Sequence, residues 1–260
     1  MYIEKYQATG NDFILFKEEV LNPSEVAIKV CHRRFGVGAD GILFPSSSVV
    51  ADIKMNYYNS DGSIAKMCGN GIRAFAKFVY NHQLVSKPVF KIETLSGVKD
   101  IVIDSDMIKV NIGEPKLIFS EDELTQSYDS HHVYHFNILD GYILSVGTLH
   151  AIIYDVTEDL KKEAKSIQND PIFVDGANIN FVKVIHRNHL FVETFERGSG
   201  WTLSCGTGVS ASVYHAMMLG LVDQGEVFVD VKGGKLVVEV KDNQIYLTGP
   251  AEKILEGNFI

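Results

Sequence analysis

The chain has 260 residues, 46% hydrophobic and 22% charged, with a net charge of −9; this describes a globular protein of one large or two ordinary domains and excludes a disordered or fibrous one. The acidic balance excludes a nucleic-acid binder that works through a basic face, although a pocket in an acidic protein can still be locally positive. No basic-then-apolar leader and no bilayer-length apolar run is present, and the three widely spaced cysteines (Cys31, Cys68, Cys205) make no disulfide framework, so a cytoplasmic protein with neither membrane nor nucleic-acid partners is expected.

In chain order, a polar turn leads into a short apolar strand at 13–16. A glycine-rich stretch, Asn59-Ser-Asp-Gly-Ser-Ile-Ala-Lys-Met-Cys-Gly-Asn-Gly-Ile-Arg73, then places Cys68 just before a helical pattern. Ile72, Phe75, Ala76, Val79 and Tyr80 recur at the spacing of an amphipathic helix. Alternation at Phe90, Ile92 and Thr94 predicts a half-buried strand, and further short strands are expected at 101–103 and 108–112. The acidic stretch 120–130 reads as a linker or an exposed helix. Strands follow at 142–146 and 151–154. A second glycine-rich stretch, Gly198-Ser-Gly-Trp-Thr-Leu-Ser-Cys-Gly-Thr-Gly-Val-Ser-Ala211, carries Cys205, and Val209, Ser212, Val213, Ala216 and Met217 repeat the helical spacing. Strands at 227–231, 236–240 and 245–248 complete the pattern.

The offset that lays Cys68 over Cys205 also pairs Gly10 with Gly147, Ile42 with Ile179, Phe44 with Phe181, Leu84-Val85 with Leu221-Val222, and Gly97 with Gly234. One ungapped offset over that length signals an internal repeat. Two homologous halves are therefore expected, 1–115 with Cys68 and 116–260 with Cys205, the last strand being free to pack back on the first half. Each half is expected to be mostly β with one long helix, lying against the sheet or inside a barrel.

Glycines on both sides of Asn70 and Thr207 let the backbone turn tightly and approach a ligand. The first turn of a helix leaves N–H groups unpaired and carries partial positive charge, which suits an anion and lowers the pKa of a neighbouring thiol. Each half thus offers a carboxylate cradle beside a reactive sulfur. Two such halves, related by a pseudo-twofold axis, are expected to present one sulfur to each face of a carbon, so that one removes a proton and the other returns one. Inversion at a weakly acidic C–H is the chemistry this suits. Cys31 has no counterpart in the repeat, since Gln168 lies opposite it, and reads as structural.

The first cysteine stretch resembles the signature of the diaminopimelate epimerase family. Four other blocks agree in order: Lys5-x-x-x-x-Gly-Asn-Asp-Phe13, Arg34-Phe-Gly-Val-Gly-Ala-Asp-Gly41, Asn178-Ile-Asn-Phe181 and Glu196-Arg-Gly-x-Gly-x-Thr-x-x-Cys-Gly-Thr-Gly208. The resemblance implies the fold class α/β: two homologous domains, each a bent, mostly antiparallel sheet around one central helix. It implies an isomerase that needs no pyridoxal phosphate or other cofactor and no metal, converting LL-diaminopimelate to the meso form for lysine and peptidoglycan synthesis. It implies Cys68 and Cys205 as the acid–base pair, with His150 and Glu196 as supporting candidates. It further implies substrate contacts from Asn11, Asn59, Gly69, Asn70, Thr148, Asn178, Glu196, Arg197, Gly206 and Thr207. The partner is a small amino acid, and a homodimer is admitted.

Each polar residue also has a plainer reading. Asn11 and Asn178 suit turns, Arg197 beside Glu196 suits a solvated ion pair, Arg73 a structural or surface charge, and His150 a satisfied core histidine. The family usually has asparagine where this chain has Thr148, which retains a hydroxyl but not an amide's paired donor and acceptor. A relative acting on lanthionine or histidine is one alternative; a thiol redox or binding protein is another of a different class.

Overall fold

The computed structural model describes residues 1–116, Leu124, 134–136, 139–154 and 156–260. The expected linker at 120–130 lies outside the described residues except for Leu124, which is fully buried and bridges to Phe173. The chain divides into two compact units, Met1–Asn111 with Thr248–Ile260, and Ile112–Leu247.

The first unit runs β1 (Tyr2–Ala8), β2 (Asn11–Leu15), α1 (Pro23–Cys31), β3 (Gly41–Ser46), β4 (Ile53–Asn59), α2 (Gly69–Asn81), β5 (Val89–Thr94), β6 (Gly97–Asp104) and β7 (Met107–Gly113), which crosses the boundary. The second holds β8 (Tyr134–Phe136), β9 (Leu139–Ser145), β10 (Leu149–Ile153), the short α3 (Glu158–Lys162) and α4 (Ala164–Gln168), β11 (Asn178–His186), β12 (His189–Glu196), β13 (Gly200–Trp201), α5 (Gly206–Met218), β14 (Glu226–Val231) and β15 (Gly234–Lys241). β16 (Gln244–Pro250) leads back, and β17 (Glu252–Asn258) pairs antiparallel with β1 in the first unit.

The repeat is preserved down to the register of the strands. β2 and β3 run parallel with Ile14 opposite Ile42, and β10 and β11 run parallel with the equivalent Ala151 opposite Ile179. Ile42 faces Tyr58 across β3 and β4, as Ile179 faces Phe195 across β11 and β12. The parallel pairs β4–β5 and β12–β14 match Ile53–Ile92 with Leu190–Val229. The sheets are therefore mixed, with parallel joins at equivalent places in both units, because each chain segment between the joined strands is long enough to cross over.

A central helix packs on the strands of each unit. α2 lies against β1, β2, β3 and β6, and α5 against β9, β10, β11, β12 and β15. The spacing in the first helix predicts one apolar stripe, but α2 is buried on nearly every side from Gly69 to Val79, including Arg73, Ala74 and Phe78. Enclosure by a bent sheet removes the solvent face that an amphipathic helix would keep. Phe75 and Phe78 are essentially inaccessible, and burying each stabilises the unit by about 2–3 kcal/mol. α5 is enclosed in the same way with smaller side chains, from Gly206 to Met217. Among the described residues no helix is long and apolar enough to cross a membrane.

Candidate active site

The two cysteines occupy the same local structure. Cys68 is extended (φ −137°, ψ 128°) and α2 begins at the next residue; Cys205 is extended (φ −120°, ψ 106°) and α5 begins likewise. The first bond of each helical ladder runs from Ile72 N–H to the Cys68 carbonyl and from Val209 N–H to the Cys205 carbonyl, both 2.9 Å. The N–H groups of Gly69, Asn70, Gly206 and Thr207 thus come before the ladder, and neither cysteine side chain caps them. Such a turn is suited to an anion. Cys68 is partly exposed and Cys205 is buried.

In the first unit Cys68 Sγ lies 3.5 Å from Asn11 Oδ1 and donates to it. The amide is held in that orientation because Asn11 Nδ2 donates to Asp40. Asp40 in turn accepts from Asp12 N–H at 3.1 Å and from Arg33 at 2.7 Å, and Arg33 forks onto Asp12 at 2.9 and 3.1 Å. Lys5 closes the cluster at 2.8 Å from Asp12. Burial raises the Asp12 carboxyl, but hydrogen bonds from Arg33 and Lys5 outweigh it and leave it below the usual range. Asn70 is buried, and its Oδ1 accepts from Arg73 at 3.0 Å. Asn59 ends β4 and donates to Ser63 Oγ at 3.0 Å, within its own turn.

In the second unit a continuous chain of hydrogen bonds leads from Cys205 to Arg197. Cys205 Sγ is 3.5 Å from Thr207 Oγ1, which is 3.4 Å from Thr148 Oγ1. Thr148 lies 3.0 Å from His150 Nε2 and accepts from Asn178 Nδ2 at 3.4 Å, while Asn178 Oδ1 accepts from Arg197 N–H at 2.8 Å. His150 is fully buried, and burial pushes its pKa down to about 3, so the ring is neutral. Asn180 Nδ2 sits 3.0 Å from His150 Nδ1 and 3.0 Å from the Ala151 carbonyl, while its Oδ1 accepts from Thr194 at 3.0 Å. With the amide fixed in that way, Nδ1 is the acceptor and the single ring proton sits on Nε2, aimed at Thr148. Both lone pairs of Thr148 are then occupied, and its own proton points outward, to Thr207 or to a bound oxygen.

Glu196 accepts from Thr202 Oγ1 at 2.6 Å. Arg197 is exposed and donates to the Asp175 carbonyl at 2.9 Å; among the described residues it forms no ion pair with Glu196. The solvated-pair reading is therefore not what the structure contains. Cys31 is buried and its thiol is pushed up to about 12, first by burial and then by Asp12 and Asp40, so it is inert. The sequence gives no role to Asp12, Asp40 and Arg33, or to Asn180 and Thr194, and Arg73, read as a structural or surface charge, is buried. Asp12, Asp40 and Asn180 do lie within the motif blocks, which was the signal available. No cluster of three His, Cys, Asp or Glu suited to a metal occurs among the described residues.

A family model described as diaminopimelate epimerase matches residues 3–118 and 142–254. The diaminopimelate epimerase of Alkaliphilus metalliredigens is 42% identical over 279 aligned positions, covering 99% of this chain and 96% of that one. That of Clostridium perfringens is also 42% identical and covers 100% of both. Among solved structures, a PhzF-family phenazine biosynthesis protein from Bacillus anthracis superposes with a TM-score of 0.75 at 18% identity, over 100% of this chain and 99% of that one. A probable proline racemase from Agrobacterium radiobacter gives 0.72 at 11% identity, over 100% and 92%. The structural likenesses establish the fold, and the sequence matches run nearly end to end: the chain belongs to the diaminopimelate epimerase family.

Proposed function

We propose that this enzyme inverts one α-carbon of LL-diaminopimelate to give the meso form, with Cys68 and Cys205 as its acid and base. The observation that carries this reading is the same Cys-Gly-x-Gly helix start, built in register in both units. A thiolate removes the α-proton, breaking C–H and forming S–H, and the other thiol delivers its proton to the opposite face of the carbon. Each turnover exchanges the protonation states of the two sulfurs. The α-proton is a very weak acid, so the carbanion must be stabilised, and the N–H groups of Gly69, Asn70, Gly206 and Thr207 are suited to the carboxylate into which its charge spreads. No step calls for a cofactor.

Asn11, Thr148, Asn178, Glu196 and Arg197 recognise the rest of the substrate in this reading, and Asn59 helps to shape its turn. Arg197 keeps guanidinium donors that can fork onto a distal carboxylate. His150, neutral and buried, orients Thr148 and takes no proton itself. Thr148, with its proton directed outward, serves as a donor to a carboxylate oxygen, which is the half of an amide's function that such a substrate needs. A cytoplasmic setting would keep both thiols reduced.

The test is turnover of LL-diaminopimelate in D₂O, following α-deuterium and stereochemistry. Deuterium is expected in the inverted centre, and Cys68→Ala or Cys205→Ala should each lower the rate by about a thousandfold or more. Inversion that survives either substitution would remove the two-thiol mechanism. Inversion of another amino acid in place of diaminopimelate would keep the mechanism and overturn the substrate.

A further inference from the structure

Arg73 is the largest fully buried side chain among the described residues. Its guanidinium donates to the Gly69 carbonyl at 2.9 Å, Asn70 Oδ1 at 3.0 Å, Thr9 Oγ1 at 3.1 Å and the Pro250 carbonyl at 3.4 Å. All four acceptors are neutral, and among the described residues no carboxylate pairs with it. A cation taken out of water without a counter-ion is costly. Packing alone gives no reason to place one at the start of the second turn of the central helix, where leucine or methionine would fill the same space.

The position of its hydrogen bonds supplies a reason. The Gly69 carbonyl and the Asn70 N–H belong to one peptide group, so a charged donor on the oxygen polarises that group and makes its N–H a stronger donor. A second arm of the guanidinium holds the Asn70 side chain, which Thr9 also touches at 3.4 Å. We propose that Arg73 is a positioning residue of the first cysteine turn: it fixes and polarises the Gly69–Asn70 peptide toward a bound carboxylate, and its charge balances that carboxylate and the Cys68 thiolate. The carboxylate part rests on the proposed reaction, whereas the effect on the thiol does not.

The surrounding charges leave this role to Arg73. On β1, Glu4 is paired with His82 at the far end of α2, and Lys5 is paired with Asp12 of β2. Asp12 and Asp40 are bound by Arg33, and Lys77 of α2 is paired with Asp106. Lys99 on β6 is held below its ordinary pKa by burial. Burial lowers the Arg73 guanidinium to about 10 and the Cys68 thiolate opposes that fall, so the cation persists at neutral pH and stabilises the thiolate in return. The Cys68 contact with Asn11 Oδ1 favours the thiol. The two opposed influences keep the sulfur able to take either form, as a group that alternates between acid and base requires.

The experiment follows iodoacetamide alkylation of Cys68 against pH in the full-length chain carrying Cys205→Ala, comparing Arg73, Arg73→Met and Arg73→Lys, with circular dichroism to confirm folding. In Arg73→Met the alkylation midpoint should rise by about one pH unit, with alkylation at pH 7 about tenfold slower. Arg73→Lys keeps the cation but loses the fork; in a chain retaining both cysteines its KM for LL-diaminopimelate should rise about five- to tenfold, with the alkylation midpoint little changed. A folded Arg73→Met protein with the parental alkylation profile overturns the charge role. Should that variant not fold, Arg73→Lys decides, and a parental KM overturns the positioning role. If the unsubstituted chain does not turn over diaminopimelate, the reaction is at fault, and the alkylation profiles still decide whether Arg73 acts on the thiol.

Discussion

Around Cys68 the buried polar group is a cation on the helix, Arg73; around Cys205 it is a neutral imidazole on the strand, His150. The equivalent positions are exchanged for plainer residues. Phe13 stands in the first unit where the second has His150, and Ser210 stands in the second where the first has Arg73. The Ser210 hydroxyl is buried with no hydrogen-bond partner among the described residues. Asn11 and Thr148 are equivalents too, each following a glycine with positive φ (Gly10, 89°; Gly147, 79°). Asn11 reaches the sulfur of its own unit directly, and Thr148 reaches the other through Thr207. The backbone has kept the repeat while the electrostatics have diverged. One turn is served by a net charge and the other by aligned dipoles, so two thiols in the same local fold need not share one basicity.

The sharpest way to break that comparison is at equivalent glycines of the two turns. A Cβ on Gly71 would meet the edge of the Phe13 ring at 3.3 Å, and that ring can yield by a few tenths of an ångström. A Cβ on Gly208 would overlap Asn180 Oδ1 and come within 3.1 Å of Thr194 Oγ1. Asn180 cannot yield without releasing His150, Ala151 and Thr194 together. Gly208→Ala is therefore expected to destabilise the chain by about 3 kcal/mol and Gly71→Ala by about 1 kcal/mol or less. Urea unfolding of the two variants measures both; equal losses would mean that the polar network of the second unit is no stiffer than the apolar packing of the first.

Much of this was legible in the sequence for a simple reason: glycine, cysteine and the apolar spacing are local signals. The two central helices and the strands beginning at Asn11 and Leu149 follow from them, and the single offset found the repeat that the strand registers preserve. β3 does not stand out as a strand because it is buried on both faces along nearly its whole length and so lacks alternation. α1 escaped notice although Pro23 sits in its first turn. Arg73 reads from the sequence as a structural or surface charge, and the structure gives the structural one, buried on a helix that the bent sheet encloses. His150 is a supporting candidate on the family resemblance, but the hydrogen bonds that tie it to Cys205 through Thr148 and Thr207 join residues far apart in sequence and are not legible there.

Acid offers a second test that separates the units, because His150 titrates and its equivalent, Phe13, does not. Burial depresses the His150 pKa from 6.5 to about 3. The unfolded chain therefore binds a proton that the folded chain refuses, and stability falls as pH drops from 6.5 toward 3, with no such effect above. At pH 5 the loss from this group is about 2 kcal/mol. Unfolding free energies at pH 7.5 and pH 5 should differ less in His150→Asn than in the unsubstituted chain by that amount. Identical differences would mean that the folded chain takes up the His150 proton as readily as the unfolded one, and the depression of its pKa by burial would fall.

The finest distinction lies between Asn11 and Thr148. Thr148 accepts from His150 and Asn178, so its value to a ligand is one donated proton. Thr148→Val removes that proton while keeping the shape, and leaves the His150 Nε2–H and the Asn178 amide without their acceptor. A fall of about tenfold in kcat/KM, about 1.4 kcal/mol, is expected, with Thr148→Ser recovering most of it. Serine keeps the hydroxyl and loses only a methyl group, so recovery assigns the effect to hydrogen bonding. If serine performs no better than valine, the methyl contact carries the effect, and Thr148 is a packing residue rather than the second unit's counterpart to the amide of Asn11.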